Sequence, residues 1–153
     1  MGSHWQSGDA KTQAARIIHI LASLLTLVVG LIHVLQKKPR VHWPDKFTDD
    51  LNAATWRATM FSLAPLVLVD NWTAVAMGIW GLLAHMKQAG SFLGAPTVDM
   101  LNAGVYLVIM GLWATIAYAG GIGVIFSCVT FLGALVCLIL AFVDNQSASL
   151  ALN

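Results

Sequence analysis

Glutamate is absent from this chain of 153 residues: all seven acidic side chains are aspartates, set against eight Lys and Arg. Charged residues make up 10% of the chain and hydrophobic ones 58%, whereas water-soluble domains are about a quarter charged. So little charge cannot furnish a water-facing surface, which excludes an ordinary soluble domain. The net charge of +1 leaves no basic stripe able to track phosphates and excludes nucleic acid as a partner.

Other absences narrow the chemistry. The two cysteines, Cys128 and Cys137, lie in one apolar run without a C-x-x-C or a Cys/His cluster, so they read as small packing residues rather than zinc or redox ligands. No nucleophile–base pair or paired carboxylate is present. Gly120-Gly121-Ile122-Gly123 has neither a following Lys nor a strand before it, which makes it a tight turn and not a phosphate loop. Catalytic and metal-ligating sets are therefore not expected.

What the chain does have is long apolar runs. A helix needs about 20 residues to cross a hydrocarbon core of ~30 Å. Ile17 to Leu35 meets that without a charge, is longer than the apolar stretch of a secretory signal, and lacks a small-x-small cleavage site. Pro39 stops its continuation. Asp99 is placed to cap a helix from Met100 to Ala119, and a last helix runs from Val124 to Val143.

The segment Leu51 to Met86 has two readings. In one, Leu51–Val69 and Trp72–Met86 are separate helices joined by a turn at Asp70-Asn71, giving five spans. In the other, a single tilted helix runs from about Ala58 to Met86, giving four. Lys and Arg gather on the cytoplasmic side of membranes. Five spans put Lys37, Lys38, Arg40, Lys46, Arg57 and Lys87 on one side, with Lys11 and Arg16 on the other. Four spans move Lys87 to the minor side, so the charge bias favours five. A repeat of Leu51-Asn52-Ala53 as Leu101-Asn102-Ala103 agrees with five. Both readings make the loop 37–50 cytoplasmic.

The expected architecture is thus an all-α integral membrane helix bundle. It has a polar tail over 1–15, a helical bundle over 16–144 (about 16–36, 51–69, 72–87, 100–119 and 123–143) and a short tail over 145–153. Trp43, Trp56 and Trp72 read as interfacial anchors; Trp80 and Trp113 read as packing residues.

Four kinds of residue are candidates for function. His19 and His33 are fourteen apart, hence on nearly one face and ~21 Å apart along the axis. A b-type haem or a quinone would need a second imidazole at the same depth. His85 supplies it, level with His33 in five spans and with His19 in four. Asp70 is a turn residue beside Asn71 in five spans, and a buried acid suited to an ion or proton relay in four. Asn71-Trp72-Thr73 matches the glycosylation sequon, but lies too close to the membrane to be reached. Small residues recur on helix faces: Ala22, Thr26 and Gly30; Ala74 and Gly78; Gly104, Gly111 and Thr115; Gly133 and Cys137. Such stripes let helix backbones approach closely, either inside the bundle or against other subunits.

Arg16-Ile17-Ile18 and Asp99-Met100-Leu101-Asn102-Ala103 resemble, over those two helix starts alone, MARVEL-type four-helix membrane proteins. The resemblance implies four spans and a membrane-organising role without catalytic residues; no site residue follows from it.

The function expected from the sequence is a non-catalytic multi-pass membrane protein, serving as an accessory or scaffold subunit that packs through its small-residue faces. Its partners would be the bilayer and other membrane subunits or copies of itself. The alternatives are a redox anchor holding one haem b or quinone through His33, His85 or His19, and a small channel or transporter using Asp70.

Overall fold

The computed structural model describes residues 10–42, 59–62, 65–86, 93–116, 118 and 120–143. These form four helices: α1 (Ala10–Leu35), α2 (Pro65–Leu83), α3 (Met100–Met110) and α4 (Gly121–Val143). Two short strands, β1 (Lys38–His42) and β2 (Thr59–Ser62), pair in parallel between α1 and α2. The expected all-helical bundle is therefore present.

The helix starts follow local chemistry. Helix α1 begins ahead of the apolar run, because Ala10 to Arg16 are mostly good helix formers. Helix α3 begins where Asp99 accepts the backbone N–H of Asn102 at 2.7 Å, as a capping aspartate should. Its last turn widens: over Gly111–Thr115 the backbone bonds reach five residues back, with Ile116 N donating to Gly111 O at 3.1 Å. Helix α4 follows a turn at Gly120, which takes a left-handed φ of 58°.

The middle of the chain departs from the five-span expectation. Asp70 and Asn71 do not form a turn; they lie inside α2, in its second turn. The helix begins at Pro65, whose missing N–H and fixed φ suit the first helical position, while the residue before a proline is disfavoured in helical geometry. A helix running through to 69 from 51 is interrupted there, and β2 occupies Thr59–Ser62 instead. Residues 51–58, Trp43, Trp56, Lys87 and the tail from 144 lie outside the described residues.

The helices alternate in direction. Gly30 of α1 meets Ala74 and Val75 of α2, and Leu27 meets Gly78, so α1 and α2 run antiparallel. Gly104 meets Leu138 and Gly111 meets Phe131, which sets α3 and α4 antiparallel as well. Gly133 of α4 packs on Ile18 of α1.

Polarity is inverted relative to a water-soluble bundle. Outward positions carry large apolar side chains: Ile17 is 65% exposed, Ile125 64% and Leu132 63%. The interior instead buries Ala15, Ala22, Ala74, Ala103 and Ala114, together with His19, Ser23, Thr26, Thr115 and Thr130. Helices α1 and α4, of 26 and 23 residues, are long and apolar enough to cross a membrane; α2 and α3 are shorter apolar helices.

Candidate functional site

The antiparallel run of α1 and α2 decides which histidines meet. His19 sits in the third turn of α1, and His85 sits two residues beyond the end of α2. Nδ1 of His19 lies 2.9 Å from Nε2 of His85, and both side chains are buried. The ring of Tyr106, from α3, stacks on His19 with centroids 5.4 Å apart and planes 25° apart. Its hydroxyl donates to the carbonyl of Met77 at 2.5 Å. Trp80 meets the edge of Tyr106 at 5.5 Å and donates its indole N–H to Leu93 O at 3.0 Å. Thr97 closes this end: its hydroxyl lies 2.9 Å from Ala84 O and 3.0 Å from Gly94 O, so its single proton serves one carbonyl at a time.

The contact constrains the tautomers. Nε2 of His19 is buried and has no hydrogen-bond partner among the described residues. An orphaned N–H is rarer in proteins than an orphaned lone pair. The proton of His19 therefore belongs on Nδ1, donated to His85, which leaves Nε2 as a bare lone pair inside the bundle.

One layer inward, Thr26 Oγ1 and Thr115 Oγ1 lie 3.1 Å apart. Thr26 also bonds Ala22 O at 2.9 Å, and Thr115 bonds Met110 O at 3.1 Å. At the far end of α1, His33 meets the edge of Tyr118 at a centroid distance of 4.7 Å. Asp70 lies close enough to act electrostatically on both Tyr118 and His33. Asp70 itself is exposed and level with the end of α1, not at the middle of a span.

Several sequence expectations are thereby sorted. The pairing of His19 with His85, which the four-span reading requires, is what forms. His33 and His85 lie at opposite ends of α1, so no ligand spans that pair. Of the stripes Ala22, Thr26, Gly30 and Ala74, Gly78, the glycines meet the facing helix: a methyl on Gly30 would lie 2.6 Å from Val75 N, and one on Gly78 would lie 2.6 Å from Leu27 N, whereas Thr26 turns to Thr115. Gly104, Gly111 and Gly133 likewise contact neighbouring helices of the same chain. Asn71 is buried and donates to Met60 O at 3.3 Å, which takes the sequon out of reach of a glycosylating enzyme. Trp113, expected as a packing residue, is 63% exposed. Cys137 is buried, while Cys128 is exposed.

A porphyrin does not fit between His19 and His85 as they stand. An iron bound by two imidazoles at about 2 Å each needs nitrogens about 4 Å apart. These nitrogens are 2.9 Å apart and bonded to each other, with Tyr106 stacked on one ring. Among the described residues no group of three or more His, Cys, Asp or Glu is placed to hold a metal.

Tyr106 and Tyr118 are the functional-looking residues that sequence reasoning misses. Tyr106 lies within α3, whereas Tyr118 lies beyond the wide turn at Gly111–Thr115, outside the helix, so contacts between distant segments bring the one to His19 and the other to His33. The available signal was composition, since they are the only two tyrosines in the chain.

No protein-family model matches the chain, and neither does any curated protein or solved structure.

Proposed function

We propose that the chain is a four-pass integral membrane protein that works through packing rather than covalent chemistry, as an accessory or scaffold bundle. The observation that supports this is the inverted polarity: large apolar side chains outward, small and polar ones inward. Exposed apolar area on this scale is adverse in water and neutral in lipid. Four alternating helices in place of five put both chain ends on one side, with the loop 37–50 on the other, cytoplasmic by its Lys and Arg. The small-residue faces are occupied within the chain, so partner subunits or further copies meet it through outward positions such as Trp113.

The test is two-part. Alkaline carbonate should leave the protein in the membrane fraction. Photo-crosslinkers at Trp113 and Leu132 should then capture a protein partner or a second copy. Extraction into the soluble fraction would sink the membrane reading; lipid adducts alone at both positions would sink the scaffold reading. The redox alternative is not favoured, because His19 and His85 bond each other where a haem would have to bind both.

A further inference from the structure

We propose that the polar face of α1 is a proton path along the bundle, running from Asp70 and His33 at one end to His19 and His85 at the other. It rests on the membrane reading above and goes beyond it, since a scaffold needs no such line.

The residues are arranged as layers on one stripe. Helix α1 carries Thr12, His19, Ser23, Thr26 and His33 at steps of seven, four, three and seven, the repeat that holds one face toward neighbouring helices. The opposite face holds Ile17, Leu21, Leu24, Val28, Leu31 and Leu35, all exposed. Three layers of the stripe meet a proton-carrying group from elsewhere in the chain: His85 at His19, Thr115 at Thr26, and Tyr118 at His33.

Hydrogen bonding alone would explain polar residues in an apolar bundle, but it does not account for two atoms. Nε2 of His19 and Nε2 of His33 are both buried and both lack a partner among the described residues. Each ring leaves one nitrogen open to the interior, one layer from Thr26 on either side. Ionisable residues inside membrane bundles mark functional paths, proton relays among them. Asp70 is exposed at the His33 end, where it gathers protons from water; His85 forms the last imidazole at the other end, beneath Thr97.

The transfer is conservative. A proton taken up at Asp70 passes to the His33 layer and is handed along a file of several waters to the Thr26–Thr115 hydroxyls, since seven helical residues separate the layers by about 10 Å. A second such file delivers it to Nε2 of His19, which releases its Nδ1 proton to Nε2 of His85. His85 then gives up the proton on its own Nδ1 to water, so each group gains one proton and loses one; both rings are left in the opposite tautomer and turn over before the next transfer.

The experiment uses the full chain in vesicles of neutral phospholipid loaded with a pH-sensitive dye, driven by a potassium diffusion potential. Wild type should take up protons well above protein-free vesicles. His19→Ala should lower uptake about a hundredfold, positioned proton-transfer groups being worth that or more. Thr26→Val and Asp70→Asn, milder changes that keep shape, should each slow it clearly. Flotation and circular dichroism establish that each variant is inserted and helical. Uptake by inserted wild type equal to that of empty vesicles overturns the proton path and leaves the membrane reading standing. So does uptake unchanged in Thr26→Val and Asp70→Asn. A protein that never enters the vesicles overturns both readings.

Discussion

Nδ1 of His19 and Nε2 of His85 lie 2.9 Å apart, across 66 residues of sequence. This bond ties the third turn of α1 to the chain just past α2, and only antiparallel helices allow it. It is also the point at which the four-helix arrangement and the candidate site become one question.

Removing both rings should therefore cost less than the two single removals added together. His85→Ala leaves the Nδ1 proton of His19 without an acceptor, at about 1–3 kcal/mol for a buried unsatisfied group. His19→Leu combined with His85→Leu leaves no polar orphan. The double variant should lose less stability than the two single changes added together. Unfolding of the micelle-bound protein in rising dodecyl sulfate, followed by circular dichroism, measures the coupling; additive losses would mean that the contact carries no stability.

The glycines of the α1–α2 interface are predicted to be intolerant. Gly78→Val places its Cβ 2.6–2.7 Å from the Leu27 backbone, where nothing flexible can yield. Overpacking of this kind costs roughly 1–3 kcal/mol and more when backbone must move. Gly121→Ala is the control, because no atom lies within 4 Å of its added carbon. Melting temperatures in detergent should fall for the first and stay level for the second.

At Gly120 the obstacle is conformation rather than space, since its surroundings are open while its φ is 58°. Gly120→Ala should destabilise by about 1–2 kcal/mol, the penalty for an L-residue in the left-handed region. Gly120→Asn should lose less, because Asn tolerates that region better. Equal losses for the two would point to a turn that rearranges.

The proposed four-pass reading predicts that both ends lie on one side. Cysteines introduced at Lys11 and Asn145 should be labelled by an impermeant reagent from the same side, in a Cys128→Ala background. A cysteine at Lys46 should be labelled from the other. Labelling of Asn145 and Lys46 from one side would restore a fifth span.

Much of this architecture is legible in residue order. Asp99 announces the start of α3 because a capping carboxylate acts on the next three residues. Gly120 announces a turn because few residues other than glycine readily take its φ. Pro65 also carried the start of α2, and reading through it is what makes a helix over 51–69 and a turn at Asp70-Asn71 look attractive. A charged-polar pair in an apolar run suggests a turn only when its depth is unknown; with α2 starting at Pro65, Asp70 falls near a helix end, where an acid can stay exposed.

The site was less legible. His19, His33 and His85 are visible as candidates, but their pairing depends on the direction of α2, which no local pattern encodes. Tyr106 and Tyr118 each meet a histidine of α1 through contacts between segments far apart in sequence. The small-residue stripes were visible too, while their use against each other, rather than against another chain, depends on where α2 comes to lie.

What the sequence determined by itself was the helical class and the local punctuation: long apolar helices, with their caps and turns. Those follow from composition and from interactions reaching a few residues. The tertiary structure alone decided that His19 bonds His85, that Asp70 stands beside His33 at a helix end, and that the glycines are spent inside the bundle. Each of these depends on helix direction and phase, which are set by packing across the whole chain.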